Sequence, residues 1–329
     1  MSLNQGEQLL AHATETIAVG SKSFAAAAKL FEPTVRRSVL MLYAWCRHCD
    51  DVIDDQELGF NNAANTAHDA PAALAMLERQ TARAYAGEPM TEPAFAAFQE
   101  VVQRHHIAQR YALDHLAGFA MDVQDARYET LDDTLRYCYH VAGVVGLMMA
   151  QIMGARSEEV LDRACDLGMA FQLTNIARDI VEDARMGRCY VPAEWLREAG
   201  IAATVATAQL PDHRAALARV AARLVAQAEP YYRSAGGGVH ALPLRSAWAI
   251  ATAHGVYRQI GIDVRALGAH AWDGRVSTSK ATKLRLLAAG GLQALGSRVT
   301  TAPARPAGLW TRPGRGPLAG PGAGRAAAV

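Results

Sequence analysis

Apolar residues recur at spacings of three and four along most of the chain, and strictly alternating apolar and polar residues are nearly absent. The segments that show this most clearly are AALAMLERQTARAYAG, AFAAFQEVVQRHHIAQ and HRAALARVAARLVAQAEPYY. Such spacing places apolar side chains on one face of an α-helix. Proline and glycine separate these segments, at FEPT, GEPMTEP, LPDH and GGGVHALP. The pattern predicts an all-α protein of roughly ten or more helices.

The longest apolar run is VAGVVGLMMAQIMG, residues 141–154. It is shorter than the about 20 residues that a helix needs to cross a bilayer, so it predicts a buried helix. Gly143 and Gly146 each weaken a helix by up to about 1 kcal/mol relative to alanine. That cost suggests that something approaches the backbone closely, either a neighbouring helix or a ligand in a groove.

The composition changes near residue 301. The last segment, TAPARPAGLWTRPGRGPLAGPGAGRAAAV, is rich in Pro, Gly, Ala and Arg and contains no acidic residue. A segment of this kind supplies little apolar surface for a core. We therefore expect residues 1–300 to form a single helical domain and residues 301–329 to be a disordered or loosely attached tail.

Charge and cysteine content exclude several classes of function. The formal net charge is +1, so no global field draws the protein to nucleic acid, and we expect no nucleic-acid partner. Five cysteines in a chain of 329 residues do not suggest a disulfide framework. The first twenty residues lack the basic and apolar regions of a secretory signal, which predicts a cytoplasmic protein. The CxxC in CRHC has no second pair at zinc-finger spacing, so we do not assign it metal or redox chemistry.

The segment CDDVIDD, residues 49–55, concentrates four aspartates at the end of an apolar stretch. On a helix, at about 100° per residue, Tyr43, Arg47, Asp50 and Asp54 fall within a sector of roughly 60°. Carboxylates one turn apart can share divalent cations, which prefer oxygen ligands. An ordinary solvated acidic face is the alternative interpretation.

A second acidic face follows in FQLTNIARDIVEDARMGRCYVP, residues 171–192. The residues predicted to line it are Gln172, Asn175, Ile176, Asp179 and Asp183. Two acidic faces would repel each other if they met without a cation between them, whereas Mg²⁺ or Mn²⁺ would join them and complete its shell with phosphate oxygens. The predicted ligand is therefore a diphosphate or polyphosphate. Arg47 and Arg178 lie within the motifs to assist, and SKSF adds two hydroxyls, the ammonium of Lys22 and the ring of Phe24.

The surrounding helices are strongly apolar, which narrows the chemistry. An allylic diphosphate ionises when cations stabilise its departing diphosphate, and dry walls keep water from the carbocation. The combination predicts an enzyme acting on prenyl diphosphates.

The motifs SKSF, LYAWCRHCDDVIDD, YCYHVAGVVG and FQLTNIARDIVEDARMGRCYVP resemble the squalene/phytoene synthase family. The resemblance runs from about residue 21 to about residue 310. It implies the all-α isoprenoid synthase fold, a class I terpenoid synthase helical bundle around a central apolar cavity. The first motif reads DDVIDD and lacks the Glu of the squalene-synthase pattern, which favours the carotenoid branch.

The resemblance also assigns roles to residues. It implies that Asp50, Asp54, Asp179, Asp183, Tyr43 and Arg47 form the catalytic set. The metal ligands it implies are Asp50, Asp54, Asn175, Asp179 and Asp183. The residues it implies for gripping diphosphate are Ser21, Lys22, Tyr43, Arg47, Arg178 and Tyr257. The cavity lining it implies is Gln172 together with the VAGVVG stretch, which includes Val141, Gly143 and Val145.

The activity that the resemblance implies is a head-to-head condensation of two geranylgeranyl diphosphates. It proceeds through the cyclopropyl intermediate prephytoene diphosphate to 15-cis-phytoene in carotenoid biosynthesis. Mg²⁺ or Mn²⁺ is the expected cofactor, and a requirement for ATP, as in some family members, is a further expectation. The rivals are a C30 synthase of the dehydrosqualene or squalene type that uses farnesyl diphosphate, a chain-elongating or cyclising enzyme, and a non-catalytic scaffold of the same fold.

The expected substrate and product are both soluble in lipid. We therefore expect loose, peripheral association with a membrane and handover of the product to other carotenoid enzymes. No amphipathic anchor is evident from the sequence alone.

Overall fold

The fold of the chain was analysed in a computed structural model, which describes residues 3–20, 22–54, 56–57, 60–61, 69–202 and 205–314. This part of the chain is almost entirely helical, as predicted. The α-helices are α1 Leu3–Gly20, α2 Lys22–Ala28, α3 Pro33–Asp54, α4 Ala70–Ala86, α5 Pro93–His105, α6 Gln109–Val123, α7 Leu131–Cys138, α8 Val144–Ile152, α9 Glu158–Arg185, α10 Ala193–Glu198, α11 Arg214–Gly236, α12 Leu244–Leu267 and α13 Lys280–Gly296.

Shorter elements connect these helices. A π-helix spans Tyr139–Gly143 and runs directly into α8. The 3-10 helices are Thr207–His213, Val239–Ala241 and Gly268–His270. After α3, two strands of two residues each, β1 Gln56–Glu57 and β2 Phe60–Asn61, pair antiparallel. No helix within the described ranges is both long enough and apolar enough to cross a membrane.

Helix α9 lies at the centre of the bundle. It packs against α8, α11, α12 and the π-helix, while α3 packs against α1 and α5. Most side chains of α9 are buried, among them the apolar Leu173, Ile176 and Ile180 and the charged Asp162, Arg163 and Asp166. A buried charge is costly unless it is paired, so the charged residues of this central helix need partners.

Glycines allow α9 to approach the segment before it very closely. A Cβ added at Gly146 would lie 2.3 Å from the Ala164 carbonyl oxygen, and one added at Gly168 would lie 2.2 Å from the Ala142 carbonyl oxygen. Both distances are shorter than any real contact, so only glycine fits. Gly143 behaves similarly, since its Cβ would lie 3.0 Å from the Cys165 sulfur. Of the two alternatives for Gly143 and Gly146, the structure favours packing against a helix over contact with a ligand.

The predicted single helix over residues 141–154 begins differently in the structure. Its first residues belong to the π-helix Tyr139–Gly143, and regular α-helix starts at Val144. Side chains of this wider turn are held by α6: the Tyr139 hydroxyl donates to Asp114 Oδ2 at 2.6 Å, and His140 Nδ1 lies 2.7 Å from the Asp114 carbonyl oxygen. Such single π-turns often lie at functional sites.

The prediction of a disordered tail from residue 301 is wrong for residues 301–314. This segment, here called the C-terminal strap, packs on α9, where two of its arginines meet buried carboxylates. Arg305 Nε and Nη2 each donate to Asp166 at 2.8 Å, and Arg312 Nε donates to Asp162 Oδ1 at 2.8 Å. Arg312 also pairs with Glu158. Composition misled the prediction because the few apolar residues of the strap act together with these ion pairs: Leu309 is buried, and the Trp310 ring lies 5.2 Å from the Tyr139 ring. Residues 315–329 lie outside the described residues.

We predict that Arg312→Ala lowers the free energy of unfolding by about 3–5 kcal/mol, because it leaves Asp162 and Glu158 without their cation in a buried site. The Arg312 side chain is 1% exposed. The matched control is Arg197→Ala, which removes a solvent-exposed arginine paired with Glu129 and should leave the unfolding midpoint unchanged. Denaturant unfolding followed by circular dichroism measures both. Equal midpoints for the two variants would show that the strap does not stabilise the fold.

Candidate active site

The first acidic cluster lies on the last two turns of α3. The Arg47 guanidinium pairs with both neighbouring carboxylates, with Nη1 2.9 Å from Asp50 Oδ2 and Nη2 2.6 Å from Asp51 Oδ1. Tyr43 lies one turn before Arg47, and Asp54 ends the helix. The helical face predicted from spacing is therefore formed, and Arg47 lies between two of its carboxylates.

The second cluster lies on the last three turns of α9. Arg178 Nε and Nη2 donate to the two carboxylate oxygens of Asp179, at 2.8 and 2.5 Å. Arg275, from the segment between α12 and α13, reaches the same carboxylate at 3.5 Å. Asp183 lies one turn after Asp179 on α9. Two arginines, Arg178 and Arg275, thus contact the Asp179 carboxylate. The Asp183 carboxylate has no arginine bonded to it in the part of the chain described.

A single arginine joins the two acidic helices. Just after α9 the chain turns at Gly187, whose φ of +80° lies in the left-handed region that glycine adopts easily. Arg188 then donates from Nη2 to Asp54 Oδ1 at 2.5 Å and from Nη1 to Asp54 Oδ2 at 3.2 Å. The ends of α3 and α9 are therefore brought to the same place although 134 residues separate the two partners.

A carboxylate from a third helix completes this group. Asp122 of α6 accepts hydrogen bonds from the Tyr190 hydroxyl at 3.0 Å and from the Tyr137 hydroxyl at 3.4 Å. Burial raises the pKa of Asp122 to about 6, while the nearby Arg188 guanidinium opposes that shift. Asp122 and Arg188 were not among the predicted site residues. Arg188 lies inside the second motif and could have been selected. Asp122 had no signal, because α6 carries only two aspartates, Asp114 and Asp122, eight residues apart.

The electrostatics of the site favour a bound cation. Burial raises the pKa of Asp183 to about 8, and the neighbouring carboxylates of Asp179 and Glu182 contribute to this rise. Burial likewise raises the pKa of Asp50 to about 6, with Arg47 opposing, although 42% of the Asp50 side-chain surface is accessible. At neutral pH the Asp183 carboxylate carries a negative charge only at a cost, which a cation in the site would remove.

Asn175 adds an independent sign of a missing partner. Its side-chain oxygen Oδ1 is buried and has no hydrogen-bond partner among the described residues. Its amide Nδ2 makes only a long contact, 3.4 Å, with Gln172 Oε1. A buried amide oxygen without a partner is costly, and a hard divalent cation is one partner that it could take. Asn175 precedes Asp179 by one helical turn, so the residues present fit the predicted cation.

Within the same described ranges, no three His, Cys, Asp or Glu side chains lie close enough together to hold a metal ion by themselves. The predicted ligands instead come from two helices and include the amide of Asn175. Mg²⁺ commonly uses one or two carboxylates and takes its remaining ligands from water and substrate phosphate. The metal ligand set therefore stays a prediction.

Aromatic side chains form the next layer of the site. The Phe24 ring of α2 lies 5.6 Å from the Tyr43 ring of α3, measured between centroids. On α12, the Tyr257 ring stacks on Phe171 at 4.1 Å. Burial raises the pKa of Tyr257, and the Arg178 guanidinium opposes this shift, which places the hydroxyl near the second cluster. Phe24, Tyr43 and Tyr257 are thus three predicted residues that the structure does assemble.

Phe24 and Tyr257 also line a cavity of about 350 Å³ between α2, α12 and α13, here called the apolar cavity. Its lining residues are Phe24, Ala26, Ala27, Thr252, Ala253, Val256, Tyr257, Lys280, Lys283, Leu284 and Leu287. Except at Thr252, Tyr257 and the two lysines, these walls offer no polar side chain. Such a space suits a hydrocarbon chain rather than a hydrophilic ligand.

Several predicted residues do not contribute to this cavity. Val141 and Val145 are partly buried and pack against the core, and Gly143 faces Cys165 and Met169 of α9. The space beside Gly143 is filled by α9, and the assignment of Gly143 to the lining of the substrate cavity stays a prediction. Ser21 and the side chain of Lys22 lie outside the described residues.

The comparison with known proteins decides the family. The sequence profile described as squalene/phytoene synthase matches residues 17–282. The chain belongs to the squalene/phytoene synthase family. Among family members, a 15-cis-phytoene synthase from Pantoea ananas is 64% identical over 305 residues, covering 93% of this chain and 98% of the relative. A 15-cis-phytoene synthase from a Paracoccus species is 50% identical over 305 residues, with the same coverage.

Solved structures of the family confirm the predicted fold class. A dehydrosqualene synthase in complex with a ligand superposes with a TM-score of 0.77 at 29% identity, covering 89% of this chain and 99% of that one. A squalene synthase from Alicyclobacillus acidocaldarius superposes with a TM-score of 0.69 at 23% identity, covering 82% and 97%. The second structure, at 23% identity, supports the fold alone. This chain therefore has the helical fold of the squalene/phytoene synthase family.

We predict that Arg188 and Asp54 are energetically coupled across the two helices. In a double-mutant cycle of Arg188→Gln and Asp54→Asn, the coupling should be about 1.5–3 kcal/mol, because the pair is a charged, two-fold hydrogen bond. The control cycle uses Arg136 and Asp132, an exposed pair within α7, whose coupling should be below about 0.5 kcal/mol. Unfolding free energies supply all the values. Additive effects for the first pair would contradict the bridge.

Proposed function

We propose that this chain is a 15-cis-phytoene synthase that joins two molecules of geranylgeranyl diphosphate head to head. The observation that carries this proposal is the identity to 15-cis-phytoene synthases along nearly the whole chain. The acidic faces of α3 and α9 support it, because every predicted carboxylate is present. Two substrates lose two diphosphates and two protons in all, and one C40 hydrocarbon is formed.

The proposed reaction has two stages. In the first, the bond between C1 and the diphosphate oxygen of one substrate breaks, and C1 alkylates the double bond of the other. Loss of a proton closes the cyclopropane of prephytoene diphosphate. In the second stage this intermediate loses its diphosphate, its carbon skeleton rearranges, and loss of a second proton gives 15-cis-phytoene. The released diphosphate is the candidate base for that last proton.

We infer that the acidic faces bind Mg²⁺ or Mn²⁺ together with the diphosphate. The residues that would hold the cations are Asp50, Asp54, Asn175, Asp179 and Asp183. The bound cations would supply charge neutralisation for the departing diphosphate. The unpartnered Asn175 oxygen and the raised pKa of Asp183 support this assignment.

The arginines of the site would bind the diphosphate itself. Arg47 and Arg178 each bond an aspartate that is assigned to a cation. With a cation bound at Asp179, the planar Arg178 guanidinium would be available for paired hydrogen bonds to phosphate oxygens, a geometry that arginine favours. Arg47 would keep its bonds from Nε and Nη2 to Asp51 and would offer Nη1, which now meets Asp50, to phosphate. Each arginine can then hold the leaving diphosphate away from the carbocation.

The aromatic layer would protect the reacting carbons. Phe24, Tyr43 and Tyr257 lie between the charged clusters and the apolar cavity. Aromatic faces attract cations within about 6 Å of the ring centre and, unlike water, do not add to them. This arrangement lets an allylic cation survive until it meets the second substrate's double bond.

Two rivals make different predictions. A C30 synthase of the dehydrosqualene type shares the fold and would consume farnesyl diphosphate instead. A non-catalytic scaffold would need none of the carboxylates, whereas this chain keeps Asp50, Asp54, Asp179 and Asp183. Since relatives at 64% and 50% identity are 15-cis-phytoene synthases, we favour geranylgeranyl diphosphate as the substrate.

We predict that the purified protein with Mg²⁺ converts geranylgeranyl diphosphate to a C40 hydrocarbon, and that Asp50→Asn and Asp179→Asn each lower the rate at least about a thousand-fold. Removing one charge from each face should weaken cation binding without unfolding the protein. The measurement is chromatography of lipid extracts, with melting temperatures recorded alongside.

The control is Asp132→Asn, an exposed aspartate of α7, which should keep the wild-type rate. Formation of a C30 hydrocarbon from farnesyl diphosphate, with none from the C20 substrate, would favour the first rival. Full activity in either site variant would refute the assignment of the acidic faces.

We further predict that Asn175→Leu raises the Mg²⁺ concentration needed for half-maximal rate by about tenfold or more. Changes to residues that only support a metal ligand cost 10- to 100-fold in affinity, and loss of a ligand should cost at least as much. Gln103→Leu, at an exposed position of α5, is the matched amide-to-leucine control. An unchanged Mg²⁺ requirement in Asn175→Leu would remove this residue from the ligand set.

A further inference from the structure

Helix α13 exposes a stripe of large apolar side chains. Leu284, Leu292 and Leu295 are 67%, 72% and 57% exposed, and Val299, just beyond the helix, is 87% exposed. These four side chains, here called the apolar stripe, are the most exposed large apolar residues in the described part of the chain. At about 100° per residue the three leucines fall within a sector of roughly 80°. They therefore form a continuous surface rather than scattered exceptions.

The face of α13 next to the apolar stripe is fixed to the body of the protein. A Cβ at Gly290 would lie 2.6 Å from Thr252 Oγ1, and a Cβ at Gly291 would lie 3.3 Å from the Trp248 ring. Trp248 Nε1 also donates to the Leu287 carbonyl oxygen at 2.8 Å. Small residues thus dock α13 tightly on α12. The apolar stripe points outward from a helix that is already packed, so it is not a core face left open by chance.

Cations border the apolar stripe. Lys280 and Arg285 lie near its two edges on the helix, and Lys283 lies on the neighbouring face. Within the described ranges, no carboxylate lies within salt-bridge distance of these three side chains, and no Asp or Glu follows Asp273 anywhere in the sequence. The protein is close to neutral, so this is a local positive surface. Apolar residues bordered by lysine and arginine are typical of helices that lie in a membrane interface.

The apolar stripe adjoins the apolar cavity. Leu284 belongs to both, and Lys280 and Lys283 stand at the same end of the cavity wall. Phe24 and Tyr257 form the cavity wall toward the acidic clusters. A hydrocarbon chain could therefore pass from the surface at α13 to the aromatic layer of the site without crossing a polar region.

We propose that α13 is a membrane-docking surface, which seats the apolar stripe in the outer apolar boundary of a bilayer while Lys280, Lys283 and Arg285 meet anionic lipid phosphates. The apolar cavity then opens next to the bilayer and gives prenyl chains and hydrocarbon product a path between lipid and active site. The role of the cavity as a path rests on the proposed function, whereas membrane docking by α13 does not.

Charge favours a bilayer over a second copy of the chain as the occupant. Two copies joined symmetrically through this surface would bury the cations of both α13 helices in one interface, with no acidic residue on α13 to offset them. Anionic lipid supplies the missing negative charge, and each cation near such a surface adds to the attraction.

Flotation of the full-length protein with vesicles tests the proposal. Vesicles of phosphatidylcholine alone are compared with vesicles containing about one third phosphatidylglycerol, at low and high salt. Wild type should float with the anionic vesicles at low salt, less so at high salt, and weakly with phosphatidylcholine alone. Leu292→Glu and Leu295→Glu should each reduce the bound fraction at least tenfold.

The matched control is Leu113→Glu, which makes the same change at a 44% exposed leucine of α6 and should float like wild type. Lys280→Gln with Arg285→Gln should abolish the preference for anionic lipid. Binding that is lost equally in Leu113→Glu, or that persists in both stripe variants, would overturn the proposal. The proposal would also be overturned if the double variant Arg315→Ser with Arg325→Ser lost all flotation while the stripe variants kept it.

Two further measurements separate the remaining outcomes. If light scattering shows that Leu292→Glu turns a dimer into a monomer while flotation is unchanged, the occupant is a second copy and the proposal fails. Product formation from detergent-dispersed substrate should be equal in wild type and Leu292→Glu, and slower in the variant when substrate is supplied in anionic vesicles. Flotation of wild type without any C40 product would leave docking intact and remove the proposed function instead.

Discussion

Like-charge repulsion between the ends of α3 and α9 is the constraint on which the rest of the site depends. Both helices end in carboxylates, and the fold brings these ends together in a largely apolar bundle. The arginines interspersed among them, above all Arg188 across the gap to Asp54, are what permit this arrangement in the protein alone. Neutralisation remains incomplete at Asp183, whose pKa is raised to about 8. The site is therefore already assembled, and its negative charge is only partly neutralised by arginine. Both properties favour binding of a cation together with a diphosphate.

Much of the fold and part of the site could be predicted from the sequence because both follow from local periodicity. Helical spacing alone placed Asp50 and Asp54 on one face, and Asn175, Asp179 and Asp183 on another. The resemblance then supplied what spacing could not, namely the fold and the reaction. The partners that join different elements were invisible to periodicity. Asp122 is one, since α6 has no acidic cluster to mark it. The contact of Arg188 with Asp54 is another, since it depends on how two distant helix ends meet.

The glycines of the YCYHVAGVVG segment illustrate a limit of a different kind. Their cost to the helix correctly indicated a close approach, but the sequence could not identify the approaching group. The structure shows backbone of α9 against Gly146 and side chains of α9 against Gly143. Helix packing at this point brings α9 close to the wider π-turn at Tyr139–Gly143, so these glycines help to set the position of α9.

The C-terminal strap has a consequence for the order in which the protein is made. Helix α9 presents Glu158, Asp162 and Asp166 near its first turns, and the arginines that neutralise them lie in the strap, 150 residues downstream in the case of Arg312 and Asp162. While the ribosome is still synthesising the intervening helices, the strap arginines do not yet exist. The carboxylates at the start of α9 therefore cannot pair with them during that time. Completion of the core is thereby tied to the emergence of almost the last described residue, and a nascent chain released early would expose an acidic, half-packed centre to the quality-control machinery of the cell.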